Sequence, residues 1–162
     1  MKYLLTIFVA FVFILGGCND QNRCYDSVDT EMITSFKVSN FSVFDTLVIR
    51  GVGRNLKGDT LVNDTLSSQS KRFPLPLSLS DDSTGFVIVA GRTVNTVYIR
   101  HSMTMKFISE NCGFAPEYRI KGTSFTSGID SVKISDPLVN TNSISKNTND
   151  QNITIYFNPS VH

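Results

Sequence analysis

The stretch NTVYIRHSMTMKFIS, residues 95–109, decides the fold. Its apolar residues recur at every second position: Val97 and Ile99, then Met103, Met105 and Phe107. A period of two sends alternate side chains to opposite faces of an extended strand, whereas a helix needs a period near 3.6. The same alternation recurs on both sides of this stretch. Upstream, Phe36 and Val38 share a face, and Leu47 and Ile49 stand against Val48 and Arg50, before Gly51 and Gly53 end or bulge the strand. Downstream, Tyr118 and Ile120 stand opposite Arg119 and Lys121. Val132 and Ile134, then Ile153, Ile155 and Phe157, supply two further inner faces. Nothing after residue 17 shows sustained helical periodicity.

The segments between these strands read as turns and edges. NLKGDTLVNDTLSSQSKRF is polar with short apolar pairs, the pattern of a loop or an edge hairpin. Pro74 and Pro76 lack an amide proton, so the segment holding Leu75, Leu77 and Leu79 belongs at a sheet edge. It feeds a turn at Asp81-Asp82-Ser83, where short polar side chains accept local backbone hydrogen bonds. Phe86 to Ala90 is a continuous apolar run, the signature of a strand covered on both faces. Glu110-Asn111-Cys112-Gly113 reads as a turn, and SDPLVNTNSISKNTNDQ as a polar loop. About seven to nine short strands with polar turns predict an all-β fold, a single antiparallel β-sandwich of immunoglobulin-like or related type, rather than a partly open barrel. Twelve Phe, no Trp and many Ser, Thr and Asn suit that architecture.

The first residues are a different object. Met1-Lys2 is a basic start, Tyr3 to Leu15 is apolar apart from Thr6, and Gly16-Gly17-Cys18 follows. This is the pattern of a secretory signal peptide. Thirteen helical residues span about 20 Å, short of a bilayer core of roughly 30 Å, so a permanent transmembrane helix is not expected. Leu15-Gly16-Gly17-Cys18 resembles a bacterial lipobox, whose cysteine receives a diacylglyceryl group before cleavage. Two or three acyl chains, palmitate among them, anchor stably where one is marginal. The alternative is a plain secretory signal with Cys18 incidental. The expected organisation is a signal peptide over 1–17, a tether over 18–30 and the sandwich over 31–162.

Past residue 17 the acidic and basic residues balance at 14 each. That balance gives no electrostatic case for nucleic acid or for a polybasic membrane contact. The expected membrane contact is the N-terminal lipid. Cys24 and Cys112 remain, and in an exported protein such a pair reads as one disulfide. Closing a loop of this length is worth roughly 4–5 kcal/mol in the chain-entropy picture. Two free buried thiols are the alternative. These cysteines with His101 and His162 lack metal-ligand spacing, so no metal and no cofactor is expected.

Catalytic patterns are not found. His101 lies between Arg100 and Ser102 in an alternating strand and reads as a solvated or edge histidine. Gly51-Val52-Gly53 lacks the third glycine and the helix of a nucleotide fingerprint. Asp81-Asp82 has too few neighbouring oxygens at fixed spacing for calcium.

An ordered set of short motifs remains: Cys18, Cys24, Leu75-Pro76-Leu77, Ser83-Thr84-Gly85-Phe86, the box from Phe107 to Phe114, and Ile129 to Val132. In this order they resemble a family of small uncharacterised lipoproteins from Bacteroides-type bacteria, a domain of unknown function. The resemblance implies an exported, lipid-anchored, all-β protein and brings no activity. Asp followed by Ser or Thr recurs at Ser27, Thr46, Thr60, Thr65, Ser83 and Ser131. The pattern looks like the acceptor motif of the O-glycosylation system of exported proteins in such bacteria, and equally like turn chemistry at strand entrances. Three functions follow: a non-enzymatic adaptor or structural domain with an envelope protein partner, favoured here; a glycan-binding module; and, last, a hydrolase. The expected location is the outer membrane, with the domain in the periplasm or at the cell surface. An exposed row of Tyr25, Tyr98, Tyr118 and Tyr156 favours glycan binding, and burial of those rings counts against it.

Overall fold

A computed structural model describes residues 30–38, 46–52, 58–65, 70–91, 93–110, 113–139 and 151–157. Ten strands are found among them and no helix. They are β1 (Glu31–Val38), β2 (Leu47–Val52), β3 (Thr60–Asp64), β4 (Ser70–Pro76), β5 (Ser83–Ala90), β6 (Thr93–Ser109), β7 (Gly113–Phe125), β8 (Ile129–Ile134), β9 (Leu138–Val139) and β10 (Ile153–Phe157). One sheet has the order β4-β1-β10-β8 and the other β3-β2-β5-β6-β7-β9. The two pack as a β-sandwich. The proline-bearing β4 is an edge strand, and the segment read as an edge hairpin supplies β3 at the edge of the larger sheet. The polar loop after β8 contains the short β9.

One pairing departs from the antiparallel expectation: β1 and β10 run parallel, Thr34 beside Ile153 through Val38 beside Phe157. Strand alternation cannot reveal direction, because a period of two is the same read either way. The junction is held by Asn152, which is buried. Its side-chain oxygen accepts from the Ile33 amide at 2.9 Å, and its amide group donates to the Leu138 carbonyl at 2.9 Å and the Asp136 carbonyl at 3.2 Å. One side chain thus joins β1 of the small sheet to β9 of the large one. No sequence signal marked it.

The core forms where the inner faces meet. Met32, Phe36, Phe73, Leu75, Ile153, Ile155 and Phe157 project from the smaller sheet, and Leu47, Ile49, Phe86, Ile88, Val97, Ile99, Tyr118 and Ile120 from the larger. Phe36 packs on Phe73 and on Phe157 with ring centroids 5.8 and 6.2 Å apart, linking three neighbouring strands. Phe86 to Ala90 departs from the expectation of two covered faces. Phe86, Ile88 and Ala90 face the core, while Val87 and Val89 point outward and are half-buried. β6 is much the longest strand, and its far half outruns β5: Ser83, where β5 begins, pairs with Arg100. From His101 to Ser109, β6 has only β7 as a strand partner.

Candidate functional site

His101 is the described group closest to chemistry, and it is not the solvated or edge histidine its neighbours suggested. It lies on an interior strand and is 1 % exposed. The alternation that buries Val97 and Ile99 carries the imidazole inward too. A bulge at Arg100/His101 sets it opposite Ile120. Nε2 lies 2.8 Å from Thr84 Oγ1, which also accepts from the Ser78 amide at 2.8 Å. The ring meets Tyr118 edge-on at 5.3 Å, and the Tyr118 hydroxyl donates to the Leu77 carbonyl at 3.3 Å. The Ser78 hydroxyl donates to Asp81 at 2.8 Å and closes the turn. His101 therefore fastens the 77–82 turn to β6. Burial holds its pKa below the ordinary imidazole value, and the carboxylates of Asp82 and Asp81 pull the other way. Burial likewise raises the Tyr118 phenol. A sealed neutral imidazole beside a threonine reads as a turn clasp. Among the described residues, no cluster of His, Cys, Asp and Glu is placed to hold a metal ion.

The outer face of the larger sheet has another character. Val48, Val89 and Val94 form one cross-strand row, and Val52, Gly85 and Tyr98 another. Val94 is 66 % exposed and Tyr98 44 %. Tyr98 lies flat enough on Gly85 that a Cβ there would come within 2.8 Å of the ring, so glycine is what lets the tyrosine settle across the strand. The outward-pointing side chains of the smaller sheet are polar, and Ser35 and Thr154 among them are buried: Arg72, Ser35, Thr154 and Lys133 make one row, and Ser70, Lys37, Tyr156 and Ser131 the next. Lys37 Nζ sits 5.9 Å from the Tyr156 ring centre.

A third exposed feature is the ribbon end of β6 and β7. Phe107 and Phe114 are directly opposed, with ring centroids 5.4 Å apart. Met105, two residues before Phe107, pairs with Pro116 on the same face.

The tyrosine row is not present. Tyr98 lies on the outer face of one sheet, Tyr156 is half-buried on the outer face of the other, and Tyr118 is in the core. Tyr25 lies outside the described residues, as do the lipidation candidate Cys18, the disulfide candidates Cys24 and Cys112, the candidate acceptor Ser27, and His162. Thr46, Thr60, Thr65 and Ser131 are exposed, and Ser83 is half-buried at the start of β5. At Asp64-Thr65 the carboxylate accepts its neighbour's amide at 2.7 Å, which is turn chemistry. The outer rows through Val89 and Gly85 escaped sequence reading, because alternation marks two faces without saying which is covered.

No curated protein and no solved structure matches the chain. A family of unknown function, DUF6452, matches residues 46–157, a span that runs from the entrance of β2 to the end of β10. With more than half its length inside that match, the chain belongs to the DUF6452 family.

Proposed function

We propose that this domain is a non-enzymatic interaction module of the cell envelope, a lipoprotein of Bacteroides-type bacteria anchored by acyl chains on Cys18. The observation that carries the interaction role is the set of apolar side chains on the outer face of the larger sheet: Val48, Val87, Val89, Val94 and Tyr98, with Arg50 and Thr96 among them. Apolar rows separated by the Arg50-Val87-Thr96 row, with an aromatic at the margin, make a mixed surface that fits a protein partner. Glycan binding ranks second, because among the described residues Tyr98 and Tyr156 lie on separate faces and Tyr118 is in the core. The hydrolase reading falls further, since His101 is enclosed, with Nε2 against Thr84 and Nδ1 buried away from solvent.

The proposed Cys24–Cys112 disulfide gains support from the chain path. The Thr30 hydroxyl donates to the Pro116 carbonyl at 2.8 Å, so the segments leading to the two cysteines depart from neighbouring points. O-glycosylation of Thr46, Thr60, Thr65 or Ser131 is compatible with their exposure, and an unmodified intact mass would remove it.

The test places a photo-reactive side chain at Val94 and, separately, at Asp130, an exposed position on the smaller sheet. In native membranes, one protein cross-linked from position 94 and not from 130 supports the adaptor. Equal labelling from both, or cross-links to glycan or lipid alone, overturns it.

A further inference from the structure

The apolar end of the β6–β7 ribbon has the geometry of a membrane-contacting tip. Met105 and Phe107 are each 54 % exposed and Phe114 is 60 % exposed. They continue the inner face that, further down the same strands, buries Tyr118 and Ile120. Here β6 has passed the end of β5, and among the described strands it pairs with β7 alone. Two rings and a thioether on a projecting hairpin are small beside the roughly 800 Å² per partner of a specific protein interface. Aromatic residues at a protruding point suit the headgroup level of a bilayer, where ring and polar backbone are both accommodated. Lys106 stands on the opposite face of the ribbon, exposed and 3.4 Å from Glu117, so the cation need not be dragged inward with the rings.

The chain path shows which way this end points. Thr30, the first described residue, is fastened to Pro116, the partner of Met105. The twenty-nine residues before it, with Cys18 among them, therefore leave the domain at the aromatic end. From Cys18 to Thr30 the chain reaches at most about 40 Å, and with the Cys24–Cys112 disulfide proposed above the leash shortens to the six steps before Cys24, about 20 Å. We propose that Met105, Phe107 and Phe114 dip into the lipid surface to which the N-terminus is tied, making the ribbon a second, non-covalent contact that orients the sandwich. This rests on the anchored reading above. The tether supplies an effective concentration in the millimolar range, so a tip too weak to bind vesicles alone stays engaged.

The absence of Trp provides the reporter. Phe107→Trp, Phe114→Trp and Phe125→Trp each introduce one tryptophan; Phe125 lies at the far end of β7, about 40 Å from the tip. The full chain is taken from native membranes and reconstituted in phosphatidylethanolamine–phosphatidylglycerol vesicles carrying acyl-brominated lipid. Quenching at positions 107 and 114 at least twofold stronger than at 125 is the expected result. Equal quenching at all three positions, or none, overturns the tip. Intact mass on the same samples reads the anchor separately. An unacylated mass sinks the Cys18 reading, and the quenching ratio still decides the tip.

Discussion

The two halves of the β6–β7 hairpin share one sequence pattern and have opposite fates. Along the lower half, Val97, Ile99 and His101 pair with Phe125, Thr123 and Ile120, and the three β6 residues are all but sealed from solvent. Along the upper half, Met105 and Phe107 pair with Pro116 and Phe114, and three of these four are more than half exposed. The alternation does not change between them. What changes is the neighbour: β5 pairs with the lower half and ends opposite Arg100, so among the described strands the upper half has β7 alone beside it. Burial belongs to the second layer of the sandwich, and the strand only offers a face to it.

The sharpest way to break this contrast is by truncation at matched positions. Ile99→Ala is expected to cost about 2–5 kcal/mol, the range for emptying a packed core site. Phe107→Ala should stay within about 0.5 kcal/mol, as an exposed substitution does. Denaturant unfolding measures both, and equal losses would mean the tip is packed after all. Asn152→Ala comes next. It leaves the Ile33 amide without its acceptor and the Asp136 and Leu138 carbonyls without their donor, for about 1–3 kcal/mol, and Asn152→Asp, which turns a buried carboxylate oxygen onto those two carbonyls, should lose more.

A smaller effect probes the clasp between the two halves. Burial lowers the His101 pKa, so the imidazole is neutral in the fold and takes up a proton more readily when unfolded. Its contribution is complete above the unfolded value near 6.5 and is lost as pH falls below it toward the lowered folded value. The melting temperature of the native chain should drop more steeply on acidification than that of His101→Gln; parallel slopes would show that His101 does not titrate. The smallest effect is expected at the sheet edges, where Asp64 of β3 pairs with Lys71 of β4 and the lysine holds the Asp64 carboxyl below its usual range. Both groups are partly in water, so Asp64→Asn should shift the melting temperature slightly, and high salt should abolish the difference.

Much of the strand arrangement could be read in advance at particular residues. Pro74 and Pro76 marked an edge because they cannot donate to a neighbour, and β4 is an edge. Tyr118, Ile120, Ile153, Ile155 and Phe157 were placed on inner faces and are buried. The polar neighbours of His101 suggest solvent, whereas its parity along β6 sends it to the core, where it is buried. The parallel β1–β10 pair, the Asn152 junction and the exposed valine rows left no local trace, since each depends on residues distant in sequence.

By itself, the sequence determined the period-two alternation, and with it the strands, their two faces and the all-β class, because side-chain direction along an extended chain is a local property of the backbone. Only the tertiary structure decided which face would be covered, which strands would run parallel, and that Phe107 and Phe114 would stand in the open beside the point where the N-terminal chain enters. Coverage between layers and strand direction are set by contacts across the whole chain, which no local stretch encodes.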